Sequence, residues 1–124
     1  MRLGILGYGY WGINLVRNAL ENTDFELIKI ADTDPSRLKL LKQHHPQIPT
    51  TLHPGAIIND ENIDCIIIAT NPANLFELGY KALEKGKHVL IEKPVSTSYN
   101  KVLTLKNLAK SNQLTLMPDL TFLY

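Results

Sequence analysis

Gly7-Tyr8-Gly9-Tyr10-Trp11-Gly12 fits the pattern G-x-G-x-x-G, placed where a short apolar run gives way to a helical pattern. That spacing suits a pyrophosphate. The first glycine permits a sharp turn, the second removes a side chain where phosphates approach, and the third lets a helix pack on the preceding strand. Free N–H groups at the start of the helix then face the anion. Glycines in such a turn also serve packing alone, so the motif needs support from elsewhere. Asp32 supplies it, closing a second apolar run 20 residues after Gly12, the spacing at which a carboxylate meets a ribose diol. Its competing role is to cap the turn Asp32-Thr33-Asp34-Pro35, which Asp34 fills equally well. Arg37, one helical turn further on, is either a solvated helix residue or a group that stacks on adenine or approaches a 2'-phosphate.

Two further stretches carry chemistry. Ala69-Thr70-Asn71-Pro72 ends an apolar run and reads either as an ordinary turn and helix start or as backbone lining the pyrophosphate and the neighbouring ribose. Glu92-Lys93-Pro94 follows the run His88-Val89-Leu90-Ile91 with no polar loop between, placing a carboxylate, an amine and a rigid residue together. A strand meeting water would explain the charges alone. His44, His45, His53 and His88 share no helical face and no ligand spacing, so no metal site is expected. Cys65 lies inside an apolar run and reads as a core thiol, and a single cysteine permits no internal disulfide.

The elements that must position these groups alternate. Strands are expected over residues 2–6, 26–31, 50–52, 64–69, 88–91 and 114–117, and helices over 11–22, 35–43, 73–85 and 98–111. Gly86 is placed for a left-handed helix cap, with Lys85 and Lys87 flanking the negative end of the dipole. Ser96, Thr97 or Ser98 is available to cap the fourth helix. Residues 44–58, with Pro46, Pro49, Pro54 and Gly55, read as irregular. Strands rich in Ile, Leu and Val throughout are covered on both faces. The expected fold is α/β, a doubly wound parallel sheet of about six strands with helices on both faces and a ligand site at the carboxyl ends of the strands. That edge gathers Gly7, Asp32, Thr70 and Lys93.

Length and charge narrow the partners. The 124 residues suit one domain, and a net charge of +1 supplies neither a basic stripe nor an acidic tail. Nucleic acid and membrane are therefore not expected as partners. The first apolar run is too short for a signal peptide and no run is long enough to span a bilayer, so a cytoplasmic protein is the simplest expectation.

With these residues in view, the chain resembles the N-terminal half of the glucose-fructose oxidoreductase and inositol dehydrogenase family, Gfo/Idh/MocA. The likeness runs through GYGYWG, Asp32, ATNP and above all GKHVLIEKP at residues 86–94. It implies a Rossmann fold binding NAD or NADP. It also implies a catalytic lysine at Lys93, a turn shaped by Pro94, and oxidation or reduction of a hydroxyl or carbonyl on a sugar, polyol or nucleotide sugar. NAD is expected over NADP, because Asp32 would repel a 2'-phosphate. Two positions depart from the family. Leu75 stands where relatives often have histidine, and Asp119-Leu120-Thr121-Phe122-Leu123-Tyr124 resembles a D-H-T-F-L-Y run with Leu120 in place of histidine. Family enzymes continue with a second domain that supplies most of the substrate pocket, so residues 1–124 are expected to bind the cofactor without turnover and to self-associate through the bared surface. Rival readings are a non-catalytic dinucleotide sensor and a methyltransferase using S-adenosylmethionine, the latter giving no reason for Glu92-Lys93-Pro94.

Overall fold

The apolar runs become strands because each buries side chains on both faces. The computed structural model describes residues 1–120. In chain order its elements are β1 (Arg2–Leu6), α1 (Tyr10–Glu21), β2 (Glu26–Ala31), α2 (Pro35–His44), β3 (Thr50–Thr51), α3 (Gly55–Ile58), β4 (Cys65–Ile68), α4 (Pro72–Glu84), β5 (His88–Glu92), α5 (Tyr99–Ser111) and β6 (Leu116–Asp119). All strand pairs are parallel and the sheet order is β3-β2-β1-β4-β5-β6. The chain thus winds outward from β1 to β3, returns beside β1 as β4, and winds outward the other way. The point of reversal, between β1 and β4, is where doubly wound sheets bind ligands.

Alternation along each strand divides the core in two. Leu3 and Ile5 of β1 pack with Val16 and Ala19 of α1 and Leu41 of α2 on one face. Leu6 of β1 and Ile66 and Ile68 of β4 join Ile57 of α3, Leu75 and Leu83 of α4 and Leu105 of α5 on the other. Helices therefore cover both faces, as expected.

Helix starts follow their capping residues. Asp34 accepts from Ser36 N at 2.9 Å with Pro35 in the first turn of α2, and Asn71 accepts from Ala73 N at 3.0 Å with Pro72 opening α4. Ser98 caps α5. The sheet's other edge is tied by Asp64, whose carboxylate accepts from Arg2 N at 2.8 Å and pairs with the Arg2 guanidinium at 2.8 Å, holding the starts of β1 and β4 together.

Three expectations need correction. Lys87 does not face the end of α4; it is buried, and Nζ donates to the carbonyls of Asp60 at 2.6 Å and Ile63 at 2.7 Å. The sixth strand lies at Leu116–Asp119 rather than 114–117, and Pro118 is tolerated within it because β6 pairs only with β5 and stands at the sheet edge. The stretch read as irregular contains the helical turn α3, which begins after Pro54 and buries Ile57 and Ile58.

Candidate functional site

The turn after β1 is built by its glycines. Gly7 takes φ +101°, a conformation in which a side chain is strained. A Cβ there would also lie 2.3 Å from the carbonyl oxygen of Ala69, so the turn passes directly over the end of β4. Gly12 closes the turn from the other side, since its Cβ would fall 2.3 Å from the oxygen of Gly7. Gly9 is different. Nothing in the backbone crowds it, and a Cβ would first meet the Arg37 guanidinium at 3.5 Å. Two of the three glycines are explained by the chain's own packing; the third keeps open the space in front of the α1 N-terminus.

Asp32 locks this turn to the end of β2. It is buried, accepts from Tyr8 N at 2.7 Å through Oδ2 and from Asp34 N at 2.9 Å through Oδ1, and lies 3.5 Å from Arg37 Nη1. Of the two roles read for it in the sequence, the hydrogen bonds show the turn role, since Asp32 shapes the turn before α2, and the residue also lines a cleft at the carboxyl edge of the sheet. Arg37 also approaches Asp34 at 3.7 Å, while its side chain stays about half exposed. Hydrogen bonds from Ser36 hold the Asp34 carboxyl below its ordinary pKa.

A cleft of about 520 Å³ opens along these groups. Gly7, Asp32, Arg37, Thr70 and Asn71 line it, with Leu6, Ala31, Thr33, Asp34, Pro54, Asn74, Glu77 and Leu78 completing the walls. Thr70 Oγ1 is buried and has no hydrogen-bond partner among the described residues. An unsatisfied buried hydroxyl is costly, and a polar ligand group in the cleft would satisfy it. The residues present thus fit a dinucleotide, with the glycine of a tight turn, a buried carboxylate and an orphaned hydroxyl along one cleft, and an open glycine at the adjoining helix start.

Glu92 ends β5 at the same carboxyl edge, and Lys93 and Pro94 follow it. Glu92 is buried, its Oε2 accepts from Lys93 N at 3.0 Å, and it pairs in register with Asp119 of β6. Burial first, and then a hydrogen bond with Asp119, push the Glu92 carboxyl above its ordinary pKa. Lys93 is exposed and its peptide bond to Pro94 is cis. Pro72 and Pro94 share a smaller hollow of about 230 Å³ with Phe76 and Lys101, whose Nζ lies 5.0 Å from the Phe76 ring centre.

Not every residue singled out in the sequence lines the cleft that holds Asp32 and Thr70. Tyr8 turns its ring into the core beside Leu3 and Val16, where burial raises its pKa, and only its backbone N–H serves the site. Tyr10 and Trp11 project from the first turn of α1, exposed and in edge-to-face contact at 5.4 Å. Ala69 acts through the carbonyl beneath Gly7. Leu75 is fully buried against the sheet, so the position where relatives often carry histidine belongs here to the core. Leu120 donates its N–H to Pro118 O at 3.1 Å, and residues 121–124 of the closing run lie outside the described residues. Sequence reasoning missed Pro54, Asn74, Glu77 and Leu78. The last three follow Asn71 at helical spacing, a signal that was available; Pro54 arrives through the loop after β3.

Comparison with known proteins agrees with this geometry. A family model described as an oxidoreductase family with an NAD-binding Rossmann fold, GFO_IDH_MocA, matches residues 1–120. The uncharacterized oxidoreductase YdgJ of Escherichia coli K12 is 34% identical over 112 residues, covering 90% of this chain and 32% of the relative. The scyllo-inositol 2-dehydrogenase (NADP(+)) IolW of Bacillus subtilis is 30% identical over 110 residues, covering 88% and 30%. Among solved structures, an NAD-binding protein from Listeria innocua superposes with a TM-score of 0.87 at 30% identity, covering 95% of this chain and 34% of that one. The chain spans about a third of the length of the curated relatives it matches. A six-stranded doubly wound sheet, a glycine turn built over β4 and a match across 120 residues place the chain in the Gfo/Idh/MocA family of oxidoreductases, as an NAD(P)-binding Rossmann domain.

Proposed function

We propose that the cleft takes a dinucleotide with its pyrophosphate at the Gly7–Gly12 turn, its adenosine ribose beside Asp32, and its nicotinamide end toward Thr70 and Lys93. The observation that carries this reading is the unpartnered Thr70 hydroxyl, buried in the wall of a cleft that also holds Gly7 and Asp32. When bound, the nicotinamide ring accepts or donates the hydride. Lys93 would hydrogen-bond the reacting oxygen of the substrate and help move its proton, held there by the Glu92 carboxyl on its backbone N–H. The substrate class is a sugar, polyol or nucleotide sugar, in keeping with a relative that bears the name of a scyllo-inositol dehydrogenase. Turnover requires the substrate carbon to be held over the ring. We assign that task to a second domain of the kind the longer relatives have room for, so residues 1–124 alone bind without catalysis. Exposed Tyr10, Trp11 and Ile13 on α1 support self-association.

NAD is preferred to NADP in this reading. Asp32 would accept from the ribose diol, and two like charges about 4 Å apart cost roughly 1 to 4 kcal/mol between water-like and surface-like dielectric. Arg37 works against this, since its guanidinium 3.5 Å from Asp32 offsets that charge. Fluorescence titration of the 124-residue chain with NADH and NADPH at one salt concentration should therefore favour NADH, by about fivefold or more. Arg37→Ala should widen the gap. Equal or tighter NADPH binding by the wild type would overturn the preference, and failure to bind either would overturn the reading of the cleft. Lys93→Ala should leave NADH affinity within about threefold, equivalent to under 1 kcal/mol, while abolishing turnover in the longer protein.

A further inference from the structure

Glu92, which holds the Lys93 N–H, has an acidic neighbour in Asp119 that neither the glycine turn nor the lysine role requires. They are partners in the parallel register of β5 and β6, at the carboxyl edge of the sheet. Glu92 is only 8% exposed, and one of its oxygens already accepts from Lys93 N at 3.0 Å. A buried carboxylate facing a second carboxylate is unfavourable, whereas one proton between them makes a hydrogen bond and leaves one charge. We propose that Glu92 and Asp119 hold one proton between them, so that the carboxyl edge of the sheet beside Lys93 carries one negative charge from the pair rather than two until that proton leaves. The Glu92 hydroxyl donates to Asp119 while its other oxygen keeps the Lys93 N–H, which joins the end of β6 to the turn that carries the lysine.

Few other charges intervene. Among the described residues, Asp119 from β6 and Lys93 after β5 are the charged groups that act on Glu92. On α4, Glu77 and Lys81 pair with each other at 2.6 Å, and on α5 Lys101 lies over the Phe76 ring. The end of β4 beside Glu92 contributes Ile68, Ala69 and Thr70, none of which titrates. The direction of the Glu92 shift, upward by burial and by Asp119, agrees with the geometry.

The functional consequence rests on the dinucleotide reading above. The oxidised nicotinamide ring is a cation and the reduced ring is neutral. Loss of the shared proton adds a negative charge near that ring, so rising pH should favour NAD+ relative to NADH.

Two measurements test this separately. Carboxyl-carbon NMR titration of the 124-residue chain, without cofactor, should place the Glu92 midpoint above the ordinary glutamate value of about 4.3. In Asp119→Asn, which keeps a hydrogen-bonding partner but removes the charge, the midpoint should fall by about one pH unit. A wild-type midpoint at or below the ordinary value, or one unmoved in Asp119→Asn, overturns the shared proton. The ratio of NADH to NAD+ dissociation constants should then rise about threefold or more through that midpoint in the wild type. It should stay flat in Glu92→Gln, which preserves both hydrogen bonds without titrating. A ratio that follows pH equally in both proteins overturns the role at the ring. If neither dinucleotide binds at any pH, the reading of the cleft fails and takes that role with it, and the NMR titration still decides the pair.

Discussion

Gly9 and Gly12 sit three residues apart, yet a methyl group at each meets different surroundings. At Gly12 it strikes a backbone oxygen at 2.3 Å, which cannot move without shifting the turn; at Gly9 the nearest atom is the end of a flexible arginine. Gly12→Ala should therefore destabilise the fold by on the order of 1–3 kcal/mol, the usual cost of forcing volume into a filled space. Gly9→Ala should cost within about 1 kcal/mol as a poorer helix cap, yet weaken NADH binding about tenfold or more, or 1.4 kcal/mol. Thermal melts and fluorescence titrations of the two variants check this, and equal losses of binding per unit of lost stability would remove the distinction. At this scale the sequence was legible where a residue's spacing encodes its task. Asp32 was singled out by its distance from Gly12, and the structure places it in the cleft wall, accepting from the Tyr8 and Asp34 N–H groups. It was illegible where the task depends on which way a side chain turns. Tyr8 and Leu75 sit in motifs associated with the cofactor cleft, and both point into the core. The orphaned hydroxyl of Thr70 has no sequence signature at all, since burial without a partner is a property of the packed neighbourhood.

Strands and helices were legible because their apolar periodicity is strong; their ends were less so. β1 and β2 lie where their apolar runs put them, and α2, α4 and α5 start where Asp34, Asn71 and Ser98 cap them. β6 shifted because proline counts against a strand in sequence, while an edge strand has an N–H to spare. α3 escaped because four residues carry no readable period. Lys87 shows the same limit between elements. A lysine after a helix reads as a dipole partner, but the chain spends its ammonium on the loop before β4. Lys87→Met should keep the buried stem and strip the donor from two carbonyls, one of them at Ile63 in the core. The expected loss is about 1–3 kcal/mol in denaturant unfolding. A variant as stable as wild type would show that water serves those carbonyls equally well.

Across the whole molecule, the alternating order of strands and helices in a doubly wound parallel sheet was the most legible feature, because buried strands and helices of this length leave few right-handed arrangements. What the order does not convey is how charge is distributed between the two edges of the sheet, and that distribution predicts the response to pH. At the amino edge, hydrogen bonds from Arg2 hold the Asp64 carboxyl far below the usual carboxylate range, and hydrogen bonds from Asn62 and Lys29 lower Asp60. These folded values lie below the unfolded ones, so their stabilisation is present above about pH 4 and is lost as pH falls through the folded values. At the carboxyl edge Glu92 is shifted the other way, by burial first, so its contribution is complete below about pH 4.3 and is lost as pH rises through its folded value. Stability should therefore decline on both flanks, for reasons located at opposite ends of the strands. Thermal midpoints measured across pH for wild type, Asp64→Asn and Glu92→Gln separate the two. Asp64→Asn should flatten the acid limb and leave the alkaline one, because the amide cannot gain a proton as Asp64 does. Glu92→Gln should do the reverse. An acid limb of unchanged steepness in Asp64→Asn would mean that the Arg2 contact seen in the fold contributes nothing measurable in solution, as exposed ion pairs often do.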